Sequence, residues 1–156
     1  MLNSSGPRRV MARLAEQDLA DWNDLVDAQV SLLIAQYLVW TRPKGRFVKD
    51  AQLDAPGVQE PVSLRSGMWR NAFRSAVAIR RVADHSLLKP RCLVRAVALS
   101  RMLEKRGITG SRVRVGVQQR AGEFSAHAWV ELGQRVLGDD AQHVRSFAEL
   151  VDLQVV

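Results

Sequence analysis

The single cysteine of this 156-residue chain, Cys92, follows Lys89-Pro90-Arg91 and opens an apolar-periodic run through Leu93, Val94, Val97, Ala98, Met102 and Leu103. His127 comes thirty-five residues later, and Asp139 and Asp140 stand twelve and thirteen residues beyond it. A thiol, an imidazole and a carboxylate in that order are the parts of a cysteine nucleophile with a base and an orienting acid. A free thiol is mostly protonated at neutral pH and needs activation. Two devices are available. Unpaired N–H groups and a partial positive charge at a helix N-terminus favour the thiolate if Cys92 sits in the first turn. An imidazole packed against that turn can take the proton.

The spacing of the second half of the constellation suits a hairpin. His127 to Leu132 predicts a strand, Gly133-Gln134 a tight turn, and Arg135 to Leu137 a short returning strand ending at Gly138. Pairing about that turn brings His127 opposite residue 139 or 140, so Asp139 is the candidate acid and Asp140 the alternate. Each residue also has a plainer reading. A cysteine at a helix start can be a small core residue, a strand histidine can be structural, and Asp-Asp after a strand can be a turn or a cap. His85, between Asp84 and Ser86, reads as a helix end. His143, in a polar stretch, lacks the strand context of His127. One cysteine and three histidines show no paired zinc-ligand spacing, and no phosphate loop or dinucleotide fingerprint is present. No metal and no cofactor are expected. Trp129 reads as core or pocket wall, and Glu131 as solvent-facing or paired with an arginine.

The elements that must position these groups follow from periodicity and breakers. Residues 1–9 read as a disordered tail. Residues 10–40 predict helix, in two pieces, with an apolar series at Leu19, Trp22, Leu25, Val26, Val30, Leu33, Ile34, Tyr37 and Leu38. Pro43 and Gly45 end it, and 43–66 reads as a long loop. Ser66 is placed to cap a helix over 68–84 with Trp69, Ala72, Phe73, Ala76, Val77 and Ile79 on its apolar stripe. The Cys92 helix runs to Arg106 and stops at Gly107. Arg112 to Val117 alternates as a strand with valines inward, 118–124 is a hairpin loop, and 146–153 is a last helix. Helices followed by a Cys-bearing helix and a small antiparallel sheet make an α+β domain.

Composition fits one soluble domain: 47% apolar, 25% charged, and long enough for a sizeable core. A lone cysteine forms no internal disulfide and suits a reducing, cytoplasmic setting. The most lipid-like run, Ala28 to Trp40, is too short and too polar to span a bilayer. The net charge of +7 is lopsided, with residues 1–60 near −1 and 61–156 near +8. Such a half can attract nucleic acid, anionic lipid or an acidic peptide. No nucleic-acid motif accompanies it, so a solvated surface or peptide docking is the better reading.

Cys92-Leu93-Val94-Arg95-Ala96, Leu103-Glu104-Lys105-Arg106-Gly107, Val115-Gly116-Val117 and Ala126-His127-Ala128-Trp129-Val130-Glu131-Leu132 together resemble the lasso-peptide biosynthesis B2 proteins. These are leader peptidases of the transglutaminase-like superfamily. The resemblance covers residues 69–140. It implies a papain/transglutaminase-like core over 67–156 behind a helical part at 10–66, within a single domain at 10–156. It implies Cys92 as nucleophile, His127 as base and Asp139 as orienting acid. The implied substrate is a ribosomally made precursor peptide cut between leader and core, whose core is then closed by a separate ATP-dependent lasso cyclase. Residues 1–60 show helix patterns and no strand triplet, so the chain resembles the form that works with a separate leader-recognition protein. A non-catalytic binding scaffold and a transglutaminase-type acyl transfer are the alternative functions.

Overall fold

The structure, a computed structural model, describes residues 6–41 and 65–153, with 6–19 and 149–153 described by backbone alone. The expected loop at 43–66 falls almost wholly outside the described residues. Three helices, α1 (Gly6–Thr41), α2 (Ser66–His85) and α3 (Cys92–Lys105), precede β1 (Ser111–Arg120), β2 (Glu123–Leu132), β3 (Arg135–Leu137), a short helix α4 (Ala141–Val144) and β4 (Ala148–Leu153). The α+β expectation is met. The sheet is antiparallel in the order β3-β2-β1-β4. Among the described residues no helix is long and apolar enough to cross a membrane.

α3 is the centre of the core. Val94, Val97, Ala98, Met102 and Leu103 are all buried among α1, α2 and the sheet residues Val113, Val130 and Leu132. Each large side chain buried there contributes roughly 1.5–3 kcal/mol. The helix ends where the sequence places its stop. Gly107 takes φ +70°, Gly107 N–H donates to Glu104 O (2.9 Å) and Ile108 N–H to Leu103 O (2.9 Å). That is a Schellman ending with the buried Ile108 as its hydrophobic partner.

The helical half differs from expectation in detail. α1 is one continuous helix rather than two, and it begins at Gly6, inside the stretch expected to be disordered. Its inward stripe is Leu25, Ala28, Leu32, Ala35 and Val39, rich in small residues that let helices approach closely. The larger apolar residues Trp22, Val26, Leu33, Tyr37 and Trp40 stay exposed. α2 starts at Ser66 itself, with Arg65 at the cap position and no side-chain cap. It buries Ala72, Ala76 and Ile79 but leaves Phe73 and Val77 outside.

Charge fastens the three helices together. Asp24 of α1 accepts from Arg74 of α2 (2.8 Å) and Arg106 at the end of α3 (2.6 Å). Arg106 also donates to Ser75 Oγ (3.0 Å), and Lys105 pairs with Asp27 (2.8 Å).

The sheet corrects two expectations. The 118–124 loop is mostly strand: β1 and β2 continue to a two-residue turn at Ala121-Gly122, both with positive φ, as a type I′ hairpin requires. The last helix over 146–153 is replaced by α4 and β4. Phe147, Leu150 and Val151 have helical spacing, but β1 would otherwise leave an unpaired edge, and pairing with β4 closes it. The short strand β3 matches its expected bounds, paired Val130 with Leu137 and Leu132 with Arg135.

Candidate active site

Cys92 is the first residue of α3, half-buried and free. Arg91 before it is extended (φ −69°, ψ 163°), and no side chain caps the helix, so the first-turn N–H groups face the thiol's surroundings unclaimed by a cap. The approach to this turn is braced. Arg95 donates from Nε to the Pro90 carbonyl (3.0 Å) and from Nη1 to Asp84 (2.9 Å), tying the buried Pro90 to the end of α2. Lys89, at φ 39°, makes the bend that delivers Pro90.

His127 lies half-buried in the middle of β2, and its Nε2 is hydrogen-bonded to Asp139 Oδ2. Gly138, at φ +80°, turns the chain after β3 so that Asp139 comes back towards β2. The other Asp139 oxygen accepts the Asp140 N–H (2.7 Å), which fixes the carboxylate plane. Asp140 is used differently: its Oδ1 accepts the Gln142 N–H (2.8 Å) as the N-cap of α4. The two acids left open by the sequence therefore have separate partners.

Cys92, His127 and Asp139 line one cavity of about 570 Å³, walled by α2, α3, β2 and the turn at Leu137 to Asp140. Among the described residues no hydrogen bond joins Cys92 to His127 directly. Arg80 and Arg95, both paired with Asp84, also reach the lining, so with Asp139 and Asp140 the cavity carries charges of both signs.

The face of β2 that carries His127 also carries the rings that support it. Trp129 is buried and stacked beside His127 with ring centres 6.2 Å apart, and Phe147 lies 5.2 Å from it. Trp129 Nε1 donates to Glu131 (3.0 Å), whose second oxygen accepts from Arg114 Nε (3.1 Å). Trp129 is thus both core and cavity lining, and Glu131 is the arginine-paired option. Gly116 pairs with His127 across the strands. A Cβ there would meet Trp129 at 2.8 Å and Phe147 at 2.9 Å, so the glycine makes room for the wall.

His85 stays a helix end, with Nδ1 against the Arg81 carbonyl at 2.8 Å. His143 is the residue the sequence undervalued. It sits on α4 with its ring edge-on to His127, 5.0 Å between centres. The donor atoms of His127, Asp139 and His143 lie within 4.8 Å of one another, a group that could hold a metal ion. No signal of spacing marks this cluster, because α4 and the Asp140 cap that carry His143 there are not apparent from periodicity. Phe147 and the brace by Arg95 were missed for the same reason: both depend on tertiary placement.

Comparison with known proteins gives a family but no individual relative. Neither the curated proteins nor the solved structures include a match. The profile of the transglutaminase-like superfamily matches residues 31–152, a span that contains Cys92, His127 and Asp139 and most of the described fold. That superfamily includes cysteine proteases and acyl transferases and is typically cysteine-dependent. With the match covering well over half its length, this chain belongs to the transglutaminase-like superfamily.

Proposed function

We propose that this protein is a cysteine peptidase that removes the leader from a ribosomally made lasso precursor peptide, before a separate ATP-dependent cyclase closes the core. The observation that carries the reading is the cavity shared by an uncapped helix-start thiol and a carboxylate-bound imidazole. The specific substrate rests on the resemblance of the Cys92, Gly116 and His127 segments to the B2 proteins.

With Nε2 held by Asp139, His127 has Nδ1 left to exchange a proton with the thiol once substrate draws the two together. The Cys92 thiolate attacks the scissile carbonyl carbon, and the C=O electron pair moves to oxygen. The Cys92 N–H at the helix start is the first donor to that oxyanion. The intermediate collapses, the C–N bond breaks, and the imidazolium gives its proton to the leaving amine, which is the core N-terminus. Water then attacks the thioester with His127 as base, releasing the leader carboxylate and restoring the thiol. Asp139 keeps the ring oriented and stabilises its charged form. A separate leader-recognition protein is the expected partner, and the exposed apolar side of α1 gives such a partner a surface to cover.

The test mixes the chain with a lasso precursor and its recognition protein and follows leader release by mass. Wild type should cut once at the leader–core junction, and Cys92→Ala should not. Cleavage by Cys92→Ala at the wild-type rate removes the nucleophile. A new amide to an added amine, in place of the free carboxylate, moves the reading to acyl transfer.

A further inference from the structure

We propose that His127, Asp139 and His143 form a binding site for a divalent transition metal, best suited to zinc, and that the metal switches off the thiol chemistry by taking its base. Three elements contribute: β2 gives His127, the turn after β3 gives Asp139, and α4 gives His143. Their donor atoms fall within 4.8 Å of one another. Two imidazoles and one carboxylate are a ligand set that zinc accepts, with further positions left to water. Zn–N and Zn–O bonds of about 2.0–2.2 Å put tetrahedral donors roughly 3.3–3.5 Å apart. His143 is exposed, so small side-chain rotations suffice to close its share of that difference.

The surroundings already orient the ligands, as the hydrogen-bond partners of ligating side chains do in metal sites. Asp139 has one oxygen pinned by the Asp140 N–H, leaving the other for His127 or a metal. The His143 ring is steadied edge-on against Phe147, 5.3 Å between centres. A metal entering here replaces the proton that His127 Nε2 and Asp139 share. Asp139 can then no longer orient the ring as an acid's partner, and the bound imidazole cannot carry the imidazolium charge. Cys92 lines the same cavity but is not among the ligands. The consequence for activity rests on the peptidase reading, whereas the binding itself does not.

The experiment titrates the full metal-free chain with cobalt(II) alone and follows its visible ligand-field bands. Wild type should bind one equivalent. Cys92→Ala should bind with the same spectrum, and His143→Ala and His143→Phe should each weaken binding by on the order of 10²-fold. Zinc should slow alkylation of Cys92 by iodoacetamide in wild type far more than in the His143 variants. Equal cobalt affinity in wild type and both His143 variants overturns the site. So does a sulfur-to-cobalt charge-transfer band that vanishes in Cys92→Ala, since the metal is then on the thiol. Cobalt binding as described, with no cleavage of any precursor, leaves the metal site standing and removes only the peptidase reading.

Discussion

Gly116 stands directly opposite His127 in the β1–β2 pair, and the space its missing side chain leaves is filled by Trp129 and Phe147, the two rings that flank the histidine. The register of β1 against β4 also shifts by one residue beside Gly116. One backbone position thus sets how β4 and the aromatic wall approach the imidazole.

Gly116→Ala should therefore act on both stability and site. Its Cβ would lie 3.0 Å from the Ala148 carbonyl as well as against the two rings, and the backbone contact has little freedom to yield. Overpacking of this kind costs about 1–3 kcal/mol. A chemical-denaturation midpoint should fall accordingly, and the His127 imidazole resonances should move in an NMR spectrum. An unchanged midpoint would show that β4 shifts away freely.

Asp139→Ala and Asp140→Ala should separate the two acids. Loss of the Asp139 carboxylate frees the His127 ring and should lower kcat/KM for leader cleavage by on the order of 10²-fold or more. Loss of Asp140 removes the cap of α4, a stability effect of about 1 kcal/mol, with cleavage close to wild type. Steady-state kinetics on the pair, with thermal melts beside them, checks both halves. Equal and small losses in kcat/KM would take the carboxylate out of the mechanism.

Asp24→Ala should destabilise far more than Asp21→Ala. Asp24 is largely buried between Arg74 and Arg106, and its removal leaves Arg74 only its 3.4 Å contact with Asp21 and Arg106 only its 3.6 Å contact with Asp27 and its bond to Ser75, a loss of about 1–3 kcal/mol. Asp21 reaches Arg74 only at 3.4 Å from an exposed position, where an ion pair contributes roughly 0–1 kcal/mol. Urea titrations of the two variants give the comparison.

Acid should loosen the attachment of α1 through Asp27. The hydrogen bond from Lys105 holds the Asp27 carboxyl below its ordinary value of 3.8, against the opposing effect of partial burial and with help from the Arg106 charge. Because the folded value is depressed, the stabilisation is complete above the unfolded value. It is lost as pH falls through that value towards the folded one. Melting temperatures from pH 7 down to pH 2 should decline less steeply for Asp27→Asn than for wild type below about pH 4. Parallel curves would remove Asp27 from the acid response.

Local signals in the sequence reached as far as local physics does. Pro90 before Cys92, Gly107 after the helix and Gly133 in the hairpin are backbone requirements, and the elements they bound lie where those residues put them. The side of α1 that faces the core was not legible. Its largest apolar residues form a second, exposed stripe, and Leu25, Ala28, Leu32, Ala35 and Val39 face the core in their place. The segment at 146–153 misled for a related reason: helical spacing is a local preference, and the open edge of β1 outweighed it. Within the site, strand pairing about Gly133-Gln134 narrowed the acid to Asp139 or Asp140. Their different partners, His127 for Asp139 and the α4 N-terminus for Asp140, follow from the bend at Gly138 and the cap on α4, which only the folded chain reveals.

The half-buried thiol at the start of α3 has no competitor anywhere in the chain, since Cys92 is the sole cysteine. Every mole of alkylating reagent taken up therefore reports on this one sulfur, and its rate of reaction reports on the surroundings. A fluorophore or a spin label attached to this one sulfur sits at the lining of the cavity without any engineered mutation. The molecule carries its own titratable reporter, and occupancy by a peptide, a partner or a metal can be read from a single labelled atom.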